Sequence, residues 1–396
     1  MRLLLMMMWA CGGTPLPQAG PEEGAAGADV AANVVDEAGA QQASALDVDR
    51  PETCAPCHGA VVEAWKGSMH ARAHHSEDPL YAAMRQLRID KQGEHIRQKC
   101  ANCHHPRATD DLEGSVAQAG VSCGTCHAVD AVGDGAGGEA LQYHADAQVR
   151  GPHGLSGAGA AVHGEAPPAD FLKDGRTLCL ACHAVAKNPQ GVPTCTTGAE
   201  AAQDASCTSC HMPEVSGPSG AASQRASHRS HAFVGPGHAW YSGDTTFLES
   251  AVSMAASFDA DALVVRLQNT TGHAFPSGFP GRLGLLNARG LDASGAEVWR
   301  LWSDDPAAAP DAMLTKVYVD AEGAPVMPPF AAALKSDTRL TPDEARTLRW
   351  QVPEAVASAE VWLDFHLAPP KALRVLKLDS SHLAKPKRVA TAEASR

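Results

Sequence analysis

Five Cys-x-x-Cys-His runs crowded between residues 54 and 211, an aromatic content of only 5%, and period-two alternation of apolar residues after residue 247 predict a chain in two parts. The first is a mostly α and irregular domain whose core is packed with covalently attached haem. The second is an all-β, sandwich-like domain.

Ten of the twelve cysteines make up the runs: Cys54, Cys57 and His58; Cys100, Cys103 and His104; Cys123, Cys126 and His127; Cys179, Cys182 and His183; Cys207, Cys210 and His211. Two thiols three positions apart can each form a thioether with a haem vinyl group, and the next histidine then reaches the iron as its proximal ligand. Zinc sites and disulfides also use paired cysteines, but neither requires a histidine after every pair. The expected cofactors are therefore five c-type haems. Roughly one motif every thirty residues leaves the macrocycles to supply much of the core. It also puts neighbouring haems close enough for electrons to pass from iron to iron. Cys195 is left over from the pairs and is assigned no role.

The formal charge is −13 before any haem propionate is counted, which excludes nucleic acid as a partner. Residues 1–11 carry one arginine and an apolar run too short to span a bilayer, as in a signal peptide. Cys11 follows that run after a small residue, resembling the acylated cysteine of a bacterial lipoprotein, so membrane attachment is expected through a lipid anchor there. Without the anchor the protein would be freely periplasmic. Residues 12–50 hold seven carboxylates against one basic residue and little apolar periodicity, which reads as a disordered linker.

The haem domain is expected over 51–240, with helical stretches near 60–72 and 80–89. A β domain follows over 247–380. Its alternation is clearest at 262–267, 297–302 and 360–366, and Asp292-Ala293-Ser294-Gly295 makes a turn between two of its strands. Residues 381–396 read as a loose tail.

Fourteen histidines remain for the opposite faces of the irons. His70 lies twelve residues beyond His58, a helical advance of about 18 Å, so it suits a neighbouring haem better than its own. His153 and His163 flank a Gly-rich loop, His228, His231 and His238 cluster after the fifth motif, and His273 sits in the turn-rich 271–278. His366 and His382 are weaker candidates, on a strand surface and in the tail. Met69, Met84 and Met212 lie in the haem region, although Met212 adjoins His211 and cannot reach the opposite face of that haem.

The order of motifs resembles a known family. The segments Cys54 to His58 with Trp65-Lys66-Gly67-Ser68-Met69-His70-Ala71, Val121 to His127, Arg150-Gly151-Pro152, Cys179 to His183, and Cys207 to Pro213 are similar to those of multihaem cytochromes c related to the tetrahaem electron carriers that partner hydroxylamine oxidoreductase, in the variant with a β-sandwich tail. The resemblance covers roughly residues 51–380. It implies His70, His163, His231 and His273 as distal ligands. For the fifth haem it leaves His153 or His238, or an iron with an open position.

The expected function is electron transfer in the periplasm or on the outer membrane or cell surface of a bacterium, with redox proteins of the cell envelope as partners. The alternative is a haem enzyme acting on a small nitrogen or sulfur oxyanion at one open iron. A third reading is a docking component of an extracellular electron conduit, with the β domain binding a partner.

Overall fold

A Cys-x-x-Cys-His run wound as a helix puts its two cysteines three positions apart and its histidine one further, all on one helical face. The computed structural model, which describes residues 47–144 and 148–396, places every run in or at the start of such a turn. The relevant helices are Ala55–Lys66, Ile96–His104, Cys123–His127, Thr177–His183 and Cys207–His211. The leader, Cys11 and nearly all of the linker lie outside the described residues. No described helix is long and apolar enough to cross a membrane.

The helices expected near 60–72 and 80–89 are Ala55–Lys66 and Pro79–Gln92. The second begins where Asp78 accepts hydrogen bonds from the amides of Leu80 (2.9 Å) and Tyr81 (3.2 Å), with Pro79 in the first turn, and it ends at Gly93 with φ +98°. Side chains alone give this part of the chain little interior. Its largest buried apolar cluster is Val129, Ala140, Leu141 and Ala181 with a few partly buried neighbours.

After residue 251 the interior is conventional. An antiparallel sheet orders the strands Glu297–Arg300, Leu283–Leu291, Ser358–His366 and Lys387–Ser395, with Met313–Leu314 added against Leu283–Leu291. A second sheet orders Ala345–Gln351, Ala262–Asn269 and Val252–Asp259. Ala359, Val361, Leu363 and Phe365 alternate along one strand, each at most 1% exposed, and meet Leu263, Val265 and Leu267 of the other sheet in one apolar cluster. The expected turn is present: Asp292 Oδ1 accepts from the amides of Ser294 and Ala296, and Gly295 takes φ +84°. The loose tail expected over 381–396 is not what forms. Lys387–Ser395 pairs along nearly the whole of Ser358–His366 and buries Val389 and Ala394.

Residues 48–396 make one compact unit. Much of the join is a strand pair, Lys316–Val319 with Ala333–Asp337, that faces the haem-motif region. Tyr318 donates its hydroxyl toward the carbonyls of Pro193 and Thr194, and Asn188 donates to those of Pro328 and Ala331. Glu200 sits at the centre of the join, accepting from Arg339 (2.6 Å), Lys316 (3.2 Å), Ser277 (3.0 Å) and Thr196. Burial alone would raise the Glu200 carboxyl, but hydrogen bonds from Arg339 and Thr196 and the charges of Arg339 and Lys316 overcome it and hold it at about 2.

A carboxyl depressed below its ordinary value of 4.5 stabilises the fold fully above that pH and loses the contribution as pH falls toward about 2. Glu200→Gln should therefore lower the unfolding free energy by about 3 kcal/mol at neutral pH, since it leaves two cations facing an uncharged amide. It should also flatten the loss of stability between pH 4.5 and 2, as followed by far-ultraviolet circular dichroism in guanidinium.

Candidate functional site

Four of the five motif histidines face a second histidine. The ring centroids are 6.1 Å apart for His58 and His163, 6.3 Å for His183 and His70, 6.2 Å for His127 and His231, and 6.2 Å for His211 and His273. An imidazole nitrogen lies about 2 Å from a metal it ligates and about 1.1 Å from its own ring centroid, so two rings on opposite sides of one iron have centroids about 6.2 Å apart. Direct aromatic packing does not produce that figure four times.

The hydrogen bonds fix which nitrogen is free. Nδ1 of His58, His104, His127 and His211 lies 2.7, 2.9, 2.8 and 2.6 Å from the carbonyls of Ser219, Ala73, Arg150 and Val234. His231 and His273 reach the carbonyls of Arg229 and Ala274 in the same way, each at 2.9 Å. A carbonyl only accepts, so the proton belongs on Nδ1 and the lone pair on Nε2, the arrangement that orients an imidazole toward a metal. Burial disfavours the charged form of the His104, His127, His231 and His273 rings. It lowers His70 to about 3, helped by its histidine neighbours, and lowers His104 and His231 to about 4.

Local sequence explains how each opposing ring is held. Trp65 donates its indole N–H to the Val121 carbonyl (2.9 Å), and the Val121 amide bonds the His70 carbonyl (3.0 Å), so the Trp-x-x-Ser-x-His segment is tied to the start of the third motif. Gly120, at φ +64°, lets the chains approach; a Cβ there would lie 2.5 Å from the His70 oxygen. Phe233 packs between His70 (4.2 Å) and His231 (5.7 Å), which fixes the run Ser230-His231-Ala232-Phe233. Asn269, fully buried, donates to the carbonyls of His273 and Thr341 and accepts from Thr271, which shapes the loop that brings His273 from the β region to His211.

His104 differs from the other four. Its ring stacks face to face on Tyr81 at 3.7 Å and 7°, which leaves its in-plane Nε2 free, and among the described residues no histidine is opposed to it across the span of an iron. His153 is exposed on its loop, and neither His153 nor His238 is in ring contact with a motif histidine.

Sulfurs of different motifs also meet. The thiols of Cys54 and Cys123, of Cys103 and Cys182, and of Cys179 and Cys207 perturb each other's ionisation, so each pair lies close together. Cys126 lies within electrostatic reach of Cys179 and Cys182. Cys195 stands apart from the motifs, against Thr197.

Buried polar atoms test whether a large polar cofactor fits. Ring or guanidinium nitrogens of His70, Arg72, Arg85, Arg150, His163 and Arg282 and the hydroxyls of Tyr81 and Tyr143 are buried without a protein partner. All such atoms among the described residues fall between His70 and Arg282, and none lies in the strands beyond. A well-folded chain does not leave that many groups unpaired in one region by chance, and haem, with its propionates and iron, supplies acceptors and metal there.

Residues 53–128 and 161–212 match the family model described as cytochrome c554 and c-prime. No curated protein matches the chain. Among solved structures, a penta-heme cytochrome c552 from Thermochromatium tepidum superposes with a TM-score of 0.73 and 25% sequence identity, over 87% of this chain and 98% of that one. With Cys-x-x-Cys-His runs on helical faces, and with histidines opposed at the span of an iron, the chain belongs to the multihaem cytochrome c family and transfers electrons through c-type haems.

Proposed function

We propose that the protein carries five haems, one on each of the five runs, and serves as an electron relay in the bacterial cell envelope. The observation that carries this reading is the fourfold opposition of imidazoles at 6.1–6.3 Å. Four haems then have two histidine ligands each: His58 with His163, His127 with His231, His183 with His70, and His211 with His273. Two imidazoles hold a haem low-spin and at low potential, and burial with Nδ1 hydrogen bonding tunes it further. The sulfur contacts order the relay: the first haem adjoins the third, the third the fourth, and the fourth both the fifth and the second. The β region is read as a sandwich that supplies His273 and a surface for a redox partner protein. Export through the leader, and attachment to a membrane through Cys11, agree with the oxidising compartment in which thioether-linked haem is assembled.

A second reading rests on His104. With Tyr81 against its proximal imidazole and no histidine opposed, the second haem would be five-coordinate, and its open face would bind a small nitrogen or sulfur oxyanion to be reduced by electrons from the fourth haem.

Electron paramagnetic resonance of the oxidised protein, with haem content measured on the same sample, should show five haems per chain, four low-spin and one high-spin. Fewer than five haems, or five low-spin signals, would remove the assignment. A high-spin signal that shifts with nitrite or hydroxylamine favours the enzyme; one indifferent to both favours the relay alone.

His70→Ala and His273→Ala should each convert one further haem to high-spin at unchanged haem content, because the thioethers and the proximal histidine remain. Optical spectra of the ferric protein would register the change, and unaltered low-spin bands would assign those ligands elsewhere.

A further inference from the structure

Behind His104, on the side away from its iron-facing nitrogen, lies a second group of histidines that haem attachment does not use. The Ala73 carbonyl that receives the His104 Nδ1–H is followed at once by His74 and His75, and His104 itself is followed by His105. His74 and His75 have ring centroids 4.1 Å apart, and His105 packs 5.4 Å from His74. One Glu113 oxygen, Oε2, lies 3.1 Å from His75 Nε2 and 4.0 Å from His74 Nε2. The other, Oε1, is taken up by Arg85 at 3.2 Å and Arg97 at 3.7 Å.

The donor atoms of His74, His75 and Glu113 all lie within 4.8 Å of one another. Ligands of a four-coordinate metal with bonds of about 2.1 Å are about 3.4 Å apart, so small side-chain movements bring these three onto one ion. His105 is the independent sign. It is 1% exposed, and neither of its ring nitrogens has a partner. A buried imidazole with both nitrogens unsatisfied beside two other imidazoles and a carboxylate is costly unless something accepts its lone pair.

We propose that His74, His75 and Glu113, with His105 as the fourth donor, bind one divalent metal ion of the zinc type, separate from the haems. Three imidazole nitrogens and one carboxylate oxygen suit tetrahedral zinc. His74 exchanges its Nε2 contact with the Leu112 carbonyl (3.2 Å) for the metal, and its Nδ1–H is then held by Ser76 Oγ, now 2.9 Å away. Arg85 and Arg97 remain on the non-ligating oxygen and orient the carboxylate, as outer partners of metal ligands do. Because Ala73 and His74 are consecutive, the ion fixes the segment whose carbonyl positions the axial histidine of the second haem.

The test uses the full haem-loaded protein, prepared without a histidine tag and dialysed against a chelator. Titration calorimetry with zinc chloride should show one saturable site per chain, weakened about 100-fold or more in His75→Ala and in Glu113→Gln at unchanged haem content. Zinc-edge X-ray absorption of the stoichiometric wild-type complex needs no variant and should report three imidazole nitrogens with one oxygen. The proposal is overturned if no saturable site appears, if the site persists unweakened in both variants, or if the absorption edge reports a shell of water and carboxylate oxygen alone.

Discussion

Imidazole rings held 6.1–6.3 Å apart in four places are the constraint on which the remaining structure turns. That separation is set by a metal radius and ring geometry, so a shift of a few tenths of an ångström in any supporting segment breaks it. The elements around the haems are short and irregular, and regular packing alone could not hold such tolerances. Backbone carbonyls hold them instead. His58 is fixed by Ser219, His127 by Arg150 and His211 by Val234, each carbonyl coming from a loop well after its motif. The loops that follow the motifs therefore orient the rings through hydrogen bonds to Nδ1, which is why their glycines matter where they do. A Cβ on Gly220 would lie 2.7 Å from the His58 ring itself.

The proximal half of each site is legible in the sequence because thioether chemistry demands contiguity: two sulfurs and one nitrogen within a single helical turn. The opposite half is reached through space. His183 takes its partner from before the second motif, and His211 takes one from a loop of the β region, so spacing alone could not rank His70 or His273 above His153 or His228. The resemblance to multihaem cytochromes c supplied that ranking. The strand Lys387–Ser395 went unread because its inward residues, Val389 and Ala394, are small and sparse, and the alternation emerges only beside Ser358–His366. The Glu200 cluster had no local signature, since its charges come from Lys316 and Arg339, far along the chain.

His273 explains why residues 48–396 behave as one unit despite two dissimilar interiors. On the ligation proposed above, an axial ligand donated across a boundary would couple the folding of the two sides, because the haem on Cys207 and Cys210 would be completed only when the loop built on Asn269 is in place. The Glu200 cluster stands beside this crossing, where Ser277, in the same 271–278 loop as His273, donates to it. An ionic join and a metal-ligand bond in the same neighbourhood resist different stresses: the first weakens in acid, the second when the histidine protonates or the haem is lost.

The sulfur contacts put the fourth motif at a branch. Cys179 lies near Cys207 and Cys182 near Cys103, and the charge of Cys126 in the third motif acts on both Cys179 and Cys182. On the assignment proposed above, the haems of the first, third, fourth and fifth motifs would form a line with two histidine ligands at every iron, and the second motif would leave that line at one point. This is the position in which an open iron does least harm to conduction. A haem that gains and loses a ligand changes potential and spin state, and within the line it would alternately trap and block electrons. On a side branch it would draw on the line without interrupting it, so the proposed open coordination at His104 and its place beside the fourth motif would belong to one design.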